Sequence, residues 1–172
     1  SSFGDPHTWS RSFSDADGWR DDPSRYRTIQ YADIEGDGDT DICARDPSGI
    51  VCGTSSSTNH FTPSRPWSTH FSNAQGWTTP DKYESIRLVD VTGDGLPDVC
   101  GRDQSGVWCA ANVTNRFGQA TLWTSEFGAS FGTSPSLWKT LRYGDVNGDG
   151  RSDVCGQTLR GYVCGVSTGG SF

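Results

Sequence analysis

The chain has 172 residues, among them 22 glycines, 7 tryptophans, 6 cysteines and no methionine, and its formal net charge is -7. No apolar run is long enough to cross a membrane, and the 14 basic residues are scattered, whereas phosphate binding needs clustered Lys and Arg. Membrane insertion and nucleic-acid binding are therefore excluded, and a compact, β-rich, secreted body is expected.

In chain order, "SSFGDPHTWS" carries no signal-peptide pattern and reads as a mature or trimmed terminus. The following stretch, "HTWSRSFS", predicts a strand over residues 7–14. Then come three copies of one pattern. An acidic loop occurs as "DIEGDGDTD" at 33–41, "DVTGDGLPD" at 90–98 and "DVNGDGRSD" at 145–153, so the chain is a repeat protein. Before each loop stand Tyr26, Tyr83 and Trp138, then Ile29, Ile86 and Leu141, then Tyr31, Leu88 and Tyr143. These positions predict one strand running into the loop.

After each loop comes a hairpin. In the first copy "DICARD", the turn "DPSG" and "GIVCGTS" place Cys43 opposite Cys52, and the same offsets relate Cys100 to Cys109 and Cys155 to Cys164. Six cysteines allow 15 pairings, but the repeat selects these three, because paired Cα atoms about 4.5 Å apart lie within disulfide reach. Three disulfides imply an oxidising compartment. A zinc site does not fit the spacing. A further strand follows, "RPWSTHFS" with Trp67 and Phe71, then "TLWTSEFG" with Trp123 and Phe127. Four short strands per repeat are the footprint of a β-propeller blade. The repeats span about 20–76, 77–131 and 132–172 within a single repeat domain.

The loops carry the chemistry. Side-chain oxygens at positions 1, 3 and 5, a carbonyl at 7 and an Asp at 9 form a dense set of hard donors suited to Ca²⁺, one ion per loop and three in all. The expected ligands are Asp33, Glu35, Asp37 and Asp41 with the Asp39 carbonyl; Asp90, Thr92, Asp94 and Asp98 with the Leu96 carbonyl; and Asp145, Asn147, Asp149 and Asp153 with the Arg151 carbonyl. The first site should be the tightest and the second, with neutral Thr92, the weakest. An EF-hand is rejected, since Ala44, Gly101 and Gly156 replace its twelfth-position Glu.

At these residues the chain resembles a known family. "ADIEGDGDTDICARDPSGIVC", "VDVTGDGLPDVCGRDQSGVWC" and "GDVNGDGRSDVCGQTLRGYVC" are similar to the FG-GAP or VCBS repeat of integrin-α-like propellers and of propeller lectins. The resemblance implies propeller blades, the loop residues above as calcium ligands, and sugars bound in pockets between neighbouring blades where such proteins bind them.

Matched stretches "FSDADGW" and "FSNAQGW" end in Trp19 and Trp77. With Arg45, Arg102 and Asp103 these are the candidate sugar contacts, although core packing and cross-linking of blades explain them equally well. Asn112 opens the sequon "NVT". Catalysis is not expected: His7, His60 and His70 do not recur between repeats, and no "GxSxG" or "HExxH" is present.

Three blades are too few for a closed ring of about four to eight. The first segment lacks a blade of its own and the last repeat lacks a fourth strand. A second chain joined head to tail is therefore expected to complete six blades, the alternatives being an open filament or a piece of a longer propeller. The function expected is a calcium-stabilised extracellular lectin, or else a non-enzymatic adhesion or assembly module.

Overall fold

The computed structural model describes residues 4–56 and 59–172. The repeat span 20–76 thus includes two residues, 57 and 58, outside the described set. The chain is all-β, with antiparallel blades laid side by side in sequence order. Blade 1 contains β1 (Gln30–Ala32), β2 (Asp41–Asp46) and β3 (Gly49–Gly53); a small ribbon of β4 (Ser55–Ser56) and β5 (His60–Phe61) then leads to its fourth strand, β6 (Arg65–Ser68). Blade 2 is β7 (Arg87–Val89), β8 (Asp98–Asp103), β9 (Gly106–Ala110) and β10 (Thr121–Thr124). Blade 3 has three strands, β11 (Arg142–Gly144), β12 (Asp153–Thr158) and β13 (Gly161–Gly165).

The hairpin register places Cys43 opposite Cys52, Cys100 opposite Cys109 and Cys155 opposite Cys164. Each pair is a disulfide with Cα atoms 4.1 Å apart. The hairpins turn through glycines. Gly49 and Gly106 have φ of 136° and 139°, and a Cβ there would stand 1.9 Å from the carbonyl oxygens of Ser68 and Thr124, in the closing fourth strand or next to it. At the matching Gly161 nothing lies within 4 Å. The outer edge of blade 3 is thus uncovered, and Tyr162 on β13 is 63% exposed.

Two sequence expectations change. Tyr26, Tyr83 and Trp138 do not lie on a strand; each ends a one-turn helix, α1 (Pro23–Tyr26), α2 (Pro80–Tyr83) and α3 (Pro135–Trp138). Proline at the first helical position, preceded by Asp22, Thr79 or Ser134, starts that turn, so the first strand is only three residues long. Residues 7–14 form no strand either: 11–14 bend and turn into the 3₁₀ turn at Asp15–Asp17. They still stand where a fourth strand would. Phe61 N–H donates to the Trp9 carbonyl at 2.8 Å, as Phe117 N–H does to Trp67 (2.8 Å) and Phe172 N–H to Trp123 (3.1 Å).

The core sits between blades. Trp67 and Phe71 of the first repeat pack with Trp77, Tyr83, Ile86, Val99 and Phe117 of the second. The pattern repeats one blade on with Trp123, Phe127 and Phe131 against Trp138, Leu141 and Val154. Stacking of repeats, rather than any one blade, buries the aromatic residues.

Candidate functional site

The three acidic loops form a row. Ser152 N–H donates to the Asp90 carbonyl at 2.7 Å, Leu96 packs against Gly36, and the Arg151 stem packs against Gly93, so each loop rests on the one before. Within a loop the first Asp gathers backbone N–H groups. Asp33 accepts from Gly36 (2.7 Å), Asp37 (3.1 Å) and Gly38 (2.8 Å), Asp90 from Gly93 and Gly95, and Asp145 from Gly148, Asp149 and Gly150. The fifth-position Asp37, Asp94 and Asp149 each accept from the N–H two residues on, at 2.9 Å.

The ninth-position Asp41, Asp98 and Asp153 are buried. Each ties the loop's second N–H, from Ile34, Val91 or Val146, to the N–H of Ser55, Asn112 or Ser167 beyond the hairpin. Burial pushes the Asp41 and Asp98 carboxyls up, and the charges of Asp37 and Asp33 push Asp41 further. By contrast Asp145 is held low by N–H bonds led by Gly150, and Asp149 by hydrogen bonds led by Asn147.

Among the described residues no three His, Cys, Asp or Glu side chains converge as a metal cage. The turns close on their own N–H groups. Their donor chemistry nevertheless suits Ca²⁺: each carboxylate keeps lone pairs beyond those given to N–H, and the carboxylates of the first loop oppose one another. A cation would offset that charge rather than build the turn.

The proposed sugar contacts lie elsewhere than expected. Trp19 and Trp77 are 5% and 1% exposed, and Arg45 and Arg102 are 0% exposed. The 3₁₀ turns Asp15–Asp17 and Asn73–Gln75 close through left-handed Gly18 and Gly76 and fold each Trp inward, against Phe13 and Phe71. Phe131, packed on Phe127, holds the same place at the next junction. Arg45 donates to the Phe71 carbonyl, Ser24 and Asn73. Arg102 donates to the Phe127 carbonyl (2.7 Å), the Gly128 carbonyl (3.0 Å) and Asp81 (3.0 Å). Asp103 accepts from Trp108 Nε1 and Ser105 N–H. These side chains pack and cross-link the blades, and the four buried ones offer no face to a sugar. Asn112 is buried as well, its amide donating to the carbonyls of Ile34 and Pro97, so the folded chain does not present the sequon.

An open groove exists instead at the outer side of the junction between blades 1 and 2. It encloses about 580 Å³ along β6 and the 116–120 segment, with Trp67, His70, Gln75, Arg116 and Gln119 on its wall. Among the described residues Trp67 Nε1 and His70 Nε2 are buried without hydrogen-bond partners. The His70 ring rests 5.0 Å from Trp108, and burial, opposed by the Asp103 charge, lowers its pKa. A matching groove of about 360 Å³ lies one junction earlier, at Trp9, Arg11, His60 and Phe61. A Trp–Phe pair marks each junction: Trp9–Phe61, Trp67–Phe117 and Trp123–Phe172, 5.3–5.5 Å apart. The recurring Trp could have flagged these grooves, but it reads equally as core. The non-recurring His70 was the sharper signal.

Neutral His70 favours the folded state, so its contribution is full above the unfolded value of 6.5 and is lost as pH falls through the lower folded value. Thermal melts between pH 7 and 5 should therefore show a steeper loss of stability in the wild type than in His70→Gln; parallel curves would contradict it.

Residues 90–155 match the FG-GAP-like repeat family. No curated protein sequence matches the chain. Among solved structures, the chain is similar to an Agrocybe aegerita lectin described as recognising non-reducing terminal N-acetylglucosamine. That match has 28% identity and a TM-score of 0.76, and covers 84% of this chain and 36% of the lectin. A Photorhabdus luminescens Tc holotoxin pore shares the fold at 19% identity and a TM-score of 0.58, with 86% of this chain and 7% of that one covered. The chain thus spans little more than a third of the lectin's length. With three blades in register, each opened by the same acidic loop, the chain has the β-propeller blade fold, and residues 90–155, which span its second loop and the third, are similar to the FG-GAP-like repeat.

Proposed function

We propose that the chain is a secreted, calcium-stabilised, non-catalytic glycan-binding segment that takes a sugar in the outer grooves between blades. The observation that carries this reading is the open groove beside half-buried His70, with Gln75, Arg116 and Gln119 on its wall. A part-exposed imidazole ring beside amide and guanidinium donors offers the ring face and the polar contacts that a saccharide needs. The similar lectin's described preference makes terminal N-acetylglucosamine the first sugar to try. The three disulfides support an oxidising, extracellular location.

The expected result is retention of the chain by glycans ending in N-acetylglucosamine on an array, with a dissociation constant of about 0.1–1 mM for one groove, as weak single sites gain by repetition. His70→Ala should weaken binding roughly tenfold, the cost of one hydrogen bond and one ring face, without lowering the thermal midpoint at pH 7.5 by more than a few degrees. No array signal from folded protein would reject the reading.

A second reading rests on the uncovered β13 edge. Residues 7–14, although not in strand form, sit against blade 1 through the Trp9 carbonyl at the place of a fourth strand, and blade 3 has three strands among the described residues. A second copy supplying that segment would complete the blade, in a closed dimer or an open filament. Light scattering decides: twice the chain mass fits the dimer and a concentration-dependent series fits the filament, whereas a monomer at 0.1 mM excludes both.

A further inference from the structure

The repeats act as controls for one another at the inner side of the blade junctions. Between blades 1 and 2, Gln30 bridges the two innermost strands: its Nε2 donates to the Ile86 carbonyl at 3.0 Å, and its Oε1 accepts from Leu88 N–H at 3.1 Å. Only about 10 Å³ is left free beside it. At the next junction the matching residue is Arg87, and a cleft of about 330 Å³ lies open.

Arg87 does not cross that junction. Its Nη1 donates to the Glu84 and Ile86 carbonyls of its own blade, at 2.9 and 2.6 Å. Arg142 on the facing blade does the same, its Nη1 donating to the carbonyls of Lys139 and Leu141, both at 2.7 Å. Each guanidinium is thus fixed through one nitrogen, and among the described residues neither forms an ion pair with a carboxylate. Lys139 stands on the same wall with its Nζ 5.2 Å over the Trp138 ring. The wall's only acid, Glu84, is already bridged to Arg27 at 2.6 Å.

Three cations therefore line one cleft of a chain whose net charge is -7. The arrangement is unfavourable by itself: burial first, together with the neighbouring Arg142 charge, pushes the Arg87 guanidinium below its ordinary value, against the opposing charge of Glu84. A planar guanidinium held by one nitrogen keeps the rest of its donors for a forked contact, the geometry suited to carboxylate, sulfate and phosphate oxygens.

We infer that the inner cleft between blades 2 and 3 is a binding site for a small oxyanion, gripped by Arg87 and Arg142 with Lys139 supplying further positive charge. The anion is either free or the charged group of an acidic sugar. This site is separate from the outer groove at Trp67 and His70 and does not depend on sugar binding there.

The test is titration of the intact chain with sodium sulfate against sodium chloride at matched ionic strength, followed by amide resonances and by the thermal midpoint. Saturable shifts at residues 84–87 and 138–142 with sulfate alone are expected, with a dissociation constant of about 1 mM or lower. Arg142→Gln, which alters an exposed side chain, should weaken that binding roughly tenfold or more, and Arg87→Gln, which installs the first repeat's residue, should abolish it. A parallel titration with glucose 6-sulfate separates the sources: tighter binding than inorganic sulfate assigns the anion to a glycan, and equal binding assigns it to a free ion. Equal responses to sulfate and chloride, or an unchanged affinity in Arg142→Gln, would overturn the inference; should Arg87→Gln fail to fold, Arg142→Gln decides.

Discussion

Replacing Asp81 by Ala is expected to lower the thermal midpoint of this chain by roughly 6–20 °C, among the largest effects of any single side-chain truncation in it. Arg102 is 0% exposed, and its Nη1 meets Asp81 at 3.0 Å, while Nε and Nη2 donate to the carbonyls of Phe127 and Gly128. Burial works against the guanidinium charge and Asp81 is first among the groups that restore it. Removing the partner leaves an uncompensated buried cation, which costs about 3–5 kcal/mol, and about 2–4 °C accompanies each kcal/mol in a chain of this size.

The other repeats supply the controls. The residue matching Asp81 is Ser24 in the first repeat, where it accepts from buried Arg45 at 2.8 Å and passes its own hydroxyl proton toward Asp22 at 2.6 Å. In the third repeat the matching pair is Ser136 and Gln157, with no charge at all. Asp81→Ser should therefore recover part of the loss, and Asp81→Ser combined with Arg102→Gln should cost less than Asp81→Ala alone. Calorimetric melts of the three variants measure this directly. A midpoint for Asp81→Ala within about 3 °C of wild type would mean that the carbonyls of Phe127 and Gly128 suffice.

The same comparison shows what the sequence could reveal. The acidic loops and the cysteine offsets are local patterns, so the three hairpins, their register and their disulfides were legible from residues a few positions apart. The apolar residues before each loop were also visible, yet Tyr26, Tyr83 and Trp138 belong to one-turn helices. Proline and its preceding residue act there before the strand period is established. Burial of Trp19, Trp77, Arg45 and Arg102 was not legible as such. For the arginines it depends on backbone carbonyls 26 and 25 residues away, and for the tryptophans on the 3₁₀ turns that fold them back onto Phe13 and Phe71. The outer groove escaped for a related reason. Its walls come from adjoining repeats, β6 of one and the 116–120 segment of the next, and neither stretch carries a motif alone.

Calcium is expected to raise the thermal midpoint of metal-free protein by about 15 °C or more at neutral pH, without being needed to form the blades. The loops hold their shape through N–H bonds to Asp33, Asp90 and Asp145, so chelation should leave the far-ultraviolet spectrum and the hairpins intact, the latter also locked by disulfides. What chelation removes is charge compensation. Asp41 and Asp98 have raised values in the fold, so without a cation their contribution is present below the unfolded value near 3.8 and is lost as pH rises through the folded value. At pH 7 both therefore oppose folding, and a bound cation reverses that sign. With free calcium at about a hundred times the dissociation constant, each independent site contributes about 2.7 kcal/mol, so three give about 8 kcal/mol, or 15 °C and upward. Titration calorimetry should count three ions. Asp94→Asn, which changes an exposed fifth-position carboxylate, should remove about a third of the shift while leaving the metal-free midpoint unchanged or slightly raised. An identical midpoint with and without calcium, in protein first unfolded and refolded in chelator, would show that the loops bind no structural ion and that their N–H bonds alone carry the charge.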